Sequence, residues 1–555
     1  MVQIYFRAQD KTASVPEGTT ILEAARRAGV IVESPCNGIG TCGKCRVKVC
    51  GSDREKLVCE EGRHHLSEEE VRAGYVLSCQ TKVYGDIEVD AASTAAQNKS
   101  LKILSDGQSF AYTIKNHITK RFDGEKTLVY GGDTLLGEEP GDTTNAVYGL
   151  SVDIGTTTVV TALIDMLTGE ELASASALNP QSLHAQDVLT RIKFASNPEG
   201  LRIMYDGITE EINRMIADTA ARAGIRTENI YEAVYSGNTT MIHLATNVDP
   251  SSLGRYPYTP QITGGNEIPA KMLHISPFGL IYLPPIISSY VGPDITSGVL
   301  ASQLEKKKGT TLFIDIGTNG EMVIAKDGSL SATSTAAGPA FEGMNITCGM
   351  RAGRGALELL EVGDDGGIRT HTIGDTAATG ICGSGLLDIV GELVRTGVIG
   401  ANGKFVTPEK GSYPENLKKH MVLLEGKPAF QAADGVYLTQ KDIRQVQLAK
   451  GAVRAGIEAL LLSQNVRAED VDLVEIAGSF GYHLRAKSLI HIGLLPREFE
   501  GKVDFVGNTS KSGGKAFLLN TDLRRHMETL AGKIEGVELS NREGFDKLFL
   551  SALSF

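Results

Sequence analysis

The chain has no apolar run of the ~18 residues that a membrane helix needs. Its opening, MVQIYFRAQDK, lacks the basic stretch and apolar core of a secretion signal. Both absences lead to the expectation of a cytoplasmic protein without a membrane partner. Basic clusters are missing too: 55 Lys and Arg stand against 67 Asp and Glu, a formal net charge of −12, and none are gathered to neutralise a phosphate backbone. That argues against nucleic acid and suits docking to a protein. Neither H-E-x-x-H nor a usable G-x-S-x-G occurs, which removes metalloprotease and esterase chemistry. His64 and His65 are adjacent, so they point apart on a helix or strand and read as solvated. His184 and His491 receive no role.

Cysteine is scarce but not scattered. Of eight, three sit in the glycine-rich stretch SPCNGIGTCGKC as Cys36, Cys42 and Cys45, and a fourth, Cys79, ends the apolar run YVLSC. Four thiolates so placed can hold two bridged irons, and Gly38, Gly40 and Gly43 let the backbone wrap closely and aim N–H groups at cluster sulfides. The spacing C-x5-C-x2-C with a distant fourth Cys is one residue wider than the plant [2Fe–2S] pattern. A structural Zn(Cys)4 site is the alternative, but it usually shows two short Cys knuckles and only one is present. Cys50, Cys59, Cys348 and Cys382 read as packed or half-exposed thiols in a reducing compartment.

At 555 residues, 41% hydrophobic and 22% charged, the chain has the balance of an ordinary globular protein with roughly three or four domains. Residues 2–7 and 12–16 read as a hairpin turning at Gln9, Asp10 and Lys11. A helix follows, capped by Thr19 or Thr20, with Ile21, Leu22, Ala25 and Ala28 on its apolar face. After the cysteine loop come the alternating strand CRVKVC, a short helix EEEVRAG leading to Cys79, and the strand GDIEVD. This arrangement resembles the β-grasp ferredoxin fold, and the widened spacing resembles its adrenodoxin-like branch. The first domain is expected over residues 1–92. Residues 93–146 are expected to be a linker and small connecting module with short strands, and a mobile tether there would let the ferredoxin swing.

The second informative pattern is a repeat. GLSVDIGTTTVVTALID places Asp153, Gly155, Thr156, Thr157 and Thr158 between two apolar β runs, and TLFIDIGTNGEMVIAKDG repeats the grammar with Asp315, Gly317, Thr318, Asn319 and Gly320. One DIGT is a turn with a convenient Asp and Gly. Two in matching context suggest an internal duplication with two hairpins whose N–H and hydroxyl groups surround phosphate oxygens.

These paired hairpins resemble the phosphate loops of the actin-like ATPase superfamily of sugar kinases, actin and heat-shock chaperones. The resemblance implies a strand ending in a glycine-rich turn near adenosine, a part that fits DLVEIAGSFGYHLR with Gly478, Ser479, Phe480 and Gly481. Gly383, Ser384 and Gly385 open a helical run whose N-terminus could approach phosphate. Loops bearing Asn238, Asp294, Asn508 and Ser510 are distinctive without declaring a chemistry. For ATP hydrolysis, Asp153 and Asp315 suit Mg2+, which keeps most of its waters and takes few carboxylates. Glu321 and Glu342 are the candidates for orienting water. The expected fold class is therefore α/β multidomain: a β-grasp [2Fe–2S] ferredoxin domain followed by a duplicated actin-like, ribonuclease-H-like ATPase over 147–555, in lobes of about 147–308 and 309–555.

Over nearly the whole chain, the ferredoxin module joined to VDIGTTT, IDIGTNGE, GICGSGLLD and IAGSFGYHL resembles the ATP-dependent reductive activators of corrinoid (cobalamin) proteins. The resemblance implies that an electron from a low-potential donor passes through the [2Fe–2S] cluster to a Co(II) corrinoid protein of a methyltransferase system, giving Co(I), and it makes a homodimer plausible. Two other readings stay open: a redox-regulated small-molecule kinase, which predicts ATP use that depends on a small acceptor, and an electron carrier whose second region only binds nucleotide or a partner. The carrier reading predicts that Asp153→Ala and Asp315→Ala leave electron delivery intact.

Overall fold

A computed structural model describes residues 1–555 apart from 31, 33, 35–37, 39, 41–42, 51–55, 60–64, 92–106, 479–483 and 540–541, and for Val58 and Cys59 it describes the backbone alone.

The first unit is a five-stranded sheet with a helix across it. Strand β1 (Val2–Phe6) alternates buried and exposed residues, so Val2, Ile4 and Phe6 face inward, and it pairs antiparallel with β2 (Lys11–Val15). The first strand is shorter than the sequence suggests: Arg7–Gln9 form one 3-10 turn, and Asp10, in the left-handed region, reverses the chain. Helix α1 (Ile21–Arg27) starts where Thr20 accepts from the Glu23 N–H at 3.2 Å. Then come β3 (Arg46–Val49), α2 (Glu68–Ala73), β4 (Tyr75–Leu77) and β5 (Ile87–Asp90), with sheet order β2-β1-β5-β3-β4. A reciprocal Ser67–Glu70 capping box starts α2.

From residue 107 the chain lies along the body of the second region. Gln108 N–H bonds Val506 O at 2.7 Å, and Lys115 N–H bonds Leu519 O at 2.7 Å. Strands β6 (Ile118–Phe122), β7 (Lys126–Gly131) and β8 (Thr134–Pro140) form an antiparallel sheet. Buried Lys120 meets Glu139 at 2.8 Å, and Tyr231 donates to Glu139 at 2.6 Å, which fastens this sheet to the adjoining lobe. The expected tether falls on residues 92–106, outside the described residues.

Two six-stranded sheets, one in each lobe, form the body of the rest, and two three-stranded sheets over 356–381 and 421–439 are added to the second lobe. In the first lobe, β9 (Tyr148–Ile154), β10 (Thr158–Asp165) and β11 (Glu171–Leu178) form an antiparallel meander, and after helices α3 (Val188–Phe194) and α4 (Pro198–Ala223) the chain returns as β12 (Ile230–Gly237), parallel to β9. Then follow α5 (Thr239–Ala245), β13 (Asn266–Pro269), β14 (Leu280–Leu283) and α6 (Pro293–Ala301), giving the order β11-β10-β9-β12-β14-β13. The second lobe repeats this plan. Strands β15 (Thr310–Ile316), β16 (Gly320–Lys326) and β17 (Ser329–Thr335) form the meander. After α7 (Gly383–Arg395) and α8 (Gln440–Ser463), β18 (Leu473–Ala477) and β19 (Val503–Gly507) extend the sheet in parallel. Helix α9 (Thr509–Leu519), a further helix over Thr521–Ala531, the short β20 (Glu535–Gly536) and α10 (Phe545–Ala552) complete it, in the sheet order β19-β18-β15-β16-β17-β20.

The inner strands are near-continuous apolar runs because both sheet faces are covered. Helices α6 and α9 supply Ile295, Val299, Phe517 and Leu518 to one core that also takes Phe313 and Val323 from the second sheet. That shared core joins the lobes. Among the described residues no helix is long and apolar enough to cross a membrane.

Candidate functional site

Strands β9 and β15 end side by side at the cleft between the lobes. In the first hairpin Ile154 lies opposite Val159, and Gly155 N–H bonds Thr158 O at 2.9 Å. In the second, Ile316 lies opposite Gly320, and Gly317 N–H bonds Asn319 O at 2.9 Å, so this turn is one residue tighter. The two turns face each other, with the Thr157 and Thr318 hydroxyl oxygens 3.4 Å apart. Gly478 follows β18 at φ +110°, and a Cβ there would stand 2.7 Å from Ile316 O and 2.9 Å from Asp315 Oδ1. Only glycine lets that turn pass beside the aspartate.

Carboxylates dominate the electrostatics. Asp153 accepts from Asn508 Nδ2 and Ser510 Oγ, each at 2.9 Å, at the start of α9. Burial pushes its carboxyl up, and those two donors and the Lys511 charge oppose the rise. No donor among the described residues bonds Asp315, whose carboxyl is pushed up to about 7 by burial first and by the Asp153 charge second. Asp294, in the first turn of α6, is driven well above the usual range by burial and then by Asp315; Glu321 is driven up by burial and then by Asp294 and Asp315. Thr318 donates to Glu342, whose other carboxylate oxygen is buried without a partner, as is one oxygen of Glu321. Buried acceptors and crowded acids of this kind call for a cation or donors brought in by a ligand.

Most of the expected residues come together here. Asp153, Gly155, Thr156, Thr157, Thr158, Asp315, Gly317, Thr318, Asn319, Glu321, Glu342, Gly383, Ser384 and Gly478 all line the cleft. Gly320 and Gly385 do not. Gly320 begins β16 against the Thr335 hydroxyl, and a Cβ on Gly385 would lie 2.0 Å from Leu357 O, so both serve packing. Ser479, Phe480 and Gly481 lie outside the described residues. Asn238 caps α5 and donates to Thr156 Oγ1 at 3.2 Å, and Asp294, Arg351, Glu358, Cys382, Asn508 and Ser510 also face the cleft. Arg351 and Glu358 had carried no expectation because nothing in their local sequence marks them, and Cys382, expected only as a packed or half-exposed thiol, is buried at the cleft wall. The described residues hold no group of three or more His, Cys, Asp or Glu side chains in a metal-holding arrangement.

At the ferredoxin end, Cys45 and Cys79 are buried with their sulfurs 3.2 Å apart, and Gln80 Nε2 stands 3.7 Å from Cys79 Sγ. Hydrogen bonding from Cys79 pulls the Cys45 thiol down to about 6, against burial. Gly38, Gly40 and Gly43 take φ of +89°, +91° and +67°, the wrap that a cluster loop needs. Two buried thiols beside a glycine-wrapped loop fit half of the ligand set of a [2Fe–2S] centre; the other two cysteines, Cys36 and Cys42, lie outside the described residues. Cys50, Cys348 and Cys382 are free thiols.

The two ends meet. Lys44, next to Cys45, donates to Thr347 O at 2.9 Å and to Gly349 O at 3.4 Å in the second lobe. The same segment lines the cleft through Glu342, Arg351 and Ala352. In the first lobe, burial and the nearby Arg26 guanidinium of α1 hold the His184 imidazole down to about 4, where it stacks on Phe194.

Fold and site define a ferredoxin fused to a duplicated actin-like domain. Family models match in the same order: a 2Fe–2S iron–sulfur cluster binding domain over residues 4–84, the RACo middle region over 148–307, and the C-terminal ASKHA domain of RACo over 309–555. The chain is 30% identical over 560 aligned positions to the corrinoid activation enzyme RamQ of Eubacterium limosum, covering 94% of this chain and 93% of that one. It is 26% identical to the [Co(II) methylated amine-specific corrinoid protein] reductase of Methanosarcina barkeri, covering 74% and 77%. A solved reductive activator for corrinoid, iron-sulfur protein superposes with a TM-score of 0.73 at 30% identity, covering 100% of this chain and 98% of that one. The chain belongs to the family of reductive activators of corrinoid proteins.

Proposed function

We propose that this protein uses ATP to drive one-electron reduction of the Co(II) corrinoid of a partner protein to Co(I), with the electron coming from a low-potential donor through a [2Fe–2S] cluster on Cys36, Cys42, Cys45 and Cys79. The observation that carries this reading is the segment 342–352. One part of it forms the cleft wall, with Glu342 on Thr318 of the second phosphate hairpin, and another holds Lys44 beside Cys45. A change at the phosphate loops thus has a covalent path of a few residues to the ferredoxin contact.

The chemistry asks for such a link. When bound, a [2Fe–2S] centre supplies one electron near −400 mV. A bound Co(II)/Co(I) couple is expected to lie lower, and each ~59 mV of deficit is a tenfold penalty. ATP can offset that deficit only if it binds one docking state better than another. The turns at Gly155–Thr158 and Gly317–Asn319 would cradle the phosphates, with Asp153 and Asp315 toward Mg2+. Glu342, fixed by Thr318 and with one oxygen open, would orient the attacking water. Burial and the Asp294 and Asp315 charges push the Glu321 carboxyl well above the usual range, which suits a supporting role.

The test follows cobalt by its visible spectrum in a mixture of the cluster-loaded protein, a Co(II) corrinoid protein and a low-potential reductant, while ATP hydrolysis is measured in parallel. Reduction that requires ATP, with hydrolysis stimulated by the corrinoid protein, is expected. ATP turnover indifferent to every corrinoid protein but raised by a small acceptor that becomes phosphorylated would transfer the site to the kinase class.

A further inference from the structure

Arg191 is a cation buried without an anion. It lies on α3, is 0% exposed, and forms no ion pair among the described residues. Its Nε donates to Ala185 O at 3.0 Å, and Nη1 reaches Gln181 Oε1 at 3.2 Å and Met241 Sδ at 3.1 Å. Its Nη2 donates to Thr156 O at 2.6 Å, inside the first phosphate turn. The nearest acidic influences are Asp187 and Glu342. Asp187 is engaged in capping α3 through Thr190, and Glu342 is engaged by Thr318.

A buried charge whose hydrogen bonds all go to neutral acceptors is costly unless an opposite charge arrives. The cleft is where one can arrive. The guanidinium sits directly behind the Thr156–Thr157 peptide, whose other side is the cleft wall. Its pull on Thr156 O polarises that peptide and makes the Thr157 N–H a stronger donor. Arginine suits the position because its planar fork holds several fixed acceptors while keeping its charge.

We propose that Arg191 is a positioning residue for the nucleotide: without touching it, Arg191 supplies through the Thr156–Thr157 peptide the positive charge that the phosphates neutralise. This rests on the ATP reading of the cleft. It predicts an effect that grows with phosphate charge, which a merely structural role does not.

The experiment measures equilibrium binding of ATP, ADP and AMP to the full-length cluster-loaded protein by calorimetry. In Arg191→Gln, ATP affinity is expected to fall about tenfold or more, as a full charge acting across one peptide allows. ADP should lose less, and AMP should stay within about twofold. Arg191→Lys, which retains the charge, should restore most of the ATP-over-AMP preference. Equal losses for ATP and AMP in a folded Arg191→Gln protein, or an unchanged preference, would overturn the proposal. If Arg191→Gln does not fold, Arg191→Gln/Glu342→Gln, which removes one charge of each sign, is compared with Glu342→Gln by the same ratio. A wild-type protein that binds ATP no better than AMP would instead refute the nucleotide reading itself.

Discussion

The two cleft hairpins share the letters DIGT and the same place in their sheets, yet their aspartates live differently. Asp153 is held by two donors from α9 and has Lys511 nearby, and its loop is backed by Asn238 and Arg191. Asp315 has no such donors among the described residues; its neighbours are Asp153, Asp294 and Glu321, and Thr318 of its loop is tied to another acid, Glu342. The aspartate of one hairpin is held by donors before any ligand arrives, while the Arg191 charge behind its loop has no anion paired with it among the described residues. The other is crowded with acids and relaxes only when a cation or proton enters. Duplication copied the backbone plan, and divergence of the packing around it made one half a fixed support and the other a responsive element.

The largest test of that asymmetry removes each acid. Asp153→Asn and Asp315→Asn should each lower ATP turnover of the cluster-loaded protein by about 100-fold or more, as expected where charge at the transferring phosphoryl group is lost. Cobalt reduction that stays intact in both variants although ATP turnover is lost would return the protein to the plain-carrier class. Next in size, Ser510→Ala removes a donor from Asp153 alone. A drop of roughly tenfold is expected, with the acid limb of the pH–rate profile moving to higher pH, because a carboxylate that loses a hydrogen bond holds its proton more tightly. An unmoved acid limb would mean that Asp153 is not governed by α9.

Stability against pH sharpens the same contrast. In the nucleotide-free, metal-free protein Asp315 holds its proton up to about 7 against an ordinary 3.8, so between those values the folded state is protonated there and the unfolded chain is not. Its contribution is complete below the ordinary value and is lost as pH rises through about 7. Asp315→Asn should therefore gain stability relative to wild type between pH ~5 and ~8, with a slope of at most about 1.4 kcal/mol per pH unit. Asp153→Asn should gain less, because its donors already offset burial. Denaturant titrations with chelator at the two pH values decide this, and parallel curves for wild type and Asp315→Asn would refute it.

The smallest expected effect lies at the ferredoxin contact. Lys44→Ala removes the bonds to Thr347 and Gly349 and should leave ATP hydrolysis without corrinoid protein within about twofold while weakening its coupling to cobalt reduction several-fold, the scale of one exposed charge-assisted contact. An unchanged cluster spectrum guards against damage at Cys45. Full coupling in the variant would show that the nucleotide acts by another route.

Much of this was legible beforehand. The alternation in VQIYF and RVKV, the Thr20 cap, and the Ser67–Glu70 box are local, and each element formed where its own residues prefer it. The repeated DIGT exposed the duplication because its glycine and hydroxyl residues are demanded by the turn itself. Gly320 and Gly385 misled, since a glycine that a neighbour needs for packing looks the same in sequence as one a ligand needs. Arg191 stayed invisible: a lone arginine in LTRIKF is ordinary surface chemistry until the fold buries it. The segment after residue 107 was read as part of a connecting region, yet its residues pair with the far end of the chain, a partnership that no local pattern records.

The amino-acid order alone determined the elements, the cysteine spacing of the cluster loop and the two phosphate turns, because these depend on residues a few positions apart. Only the tertiary structure brought Asn508 and Ser510 to Asp153, set Arg191 behind Thr156, crowded Asp294 and Glu321 against Asp315, and laid Lys44 on the segment that walls the cleft. Charge and burial act through space, so which aspartate is fixed and which responds is decided by packing between segments hundreds of residues apart.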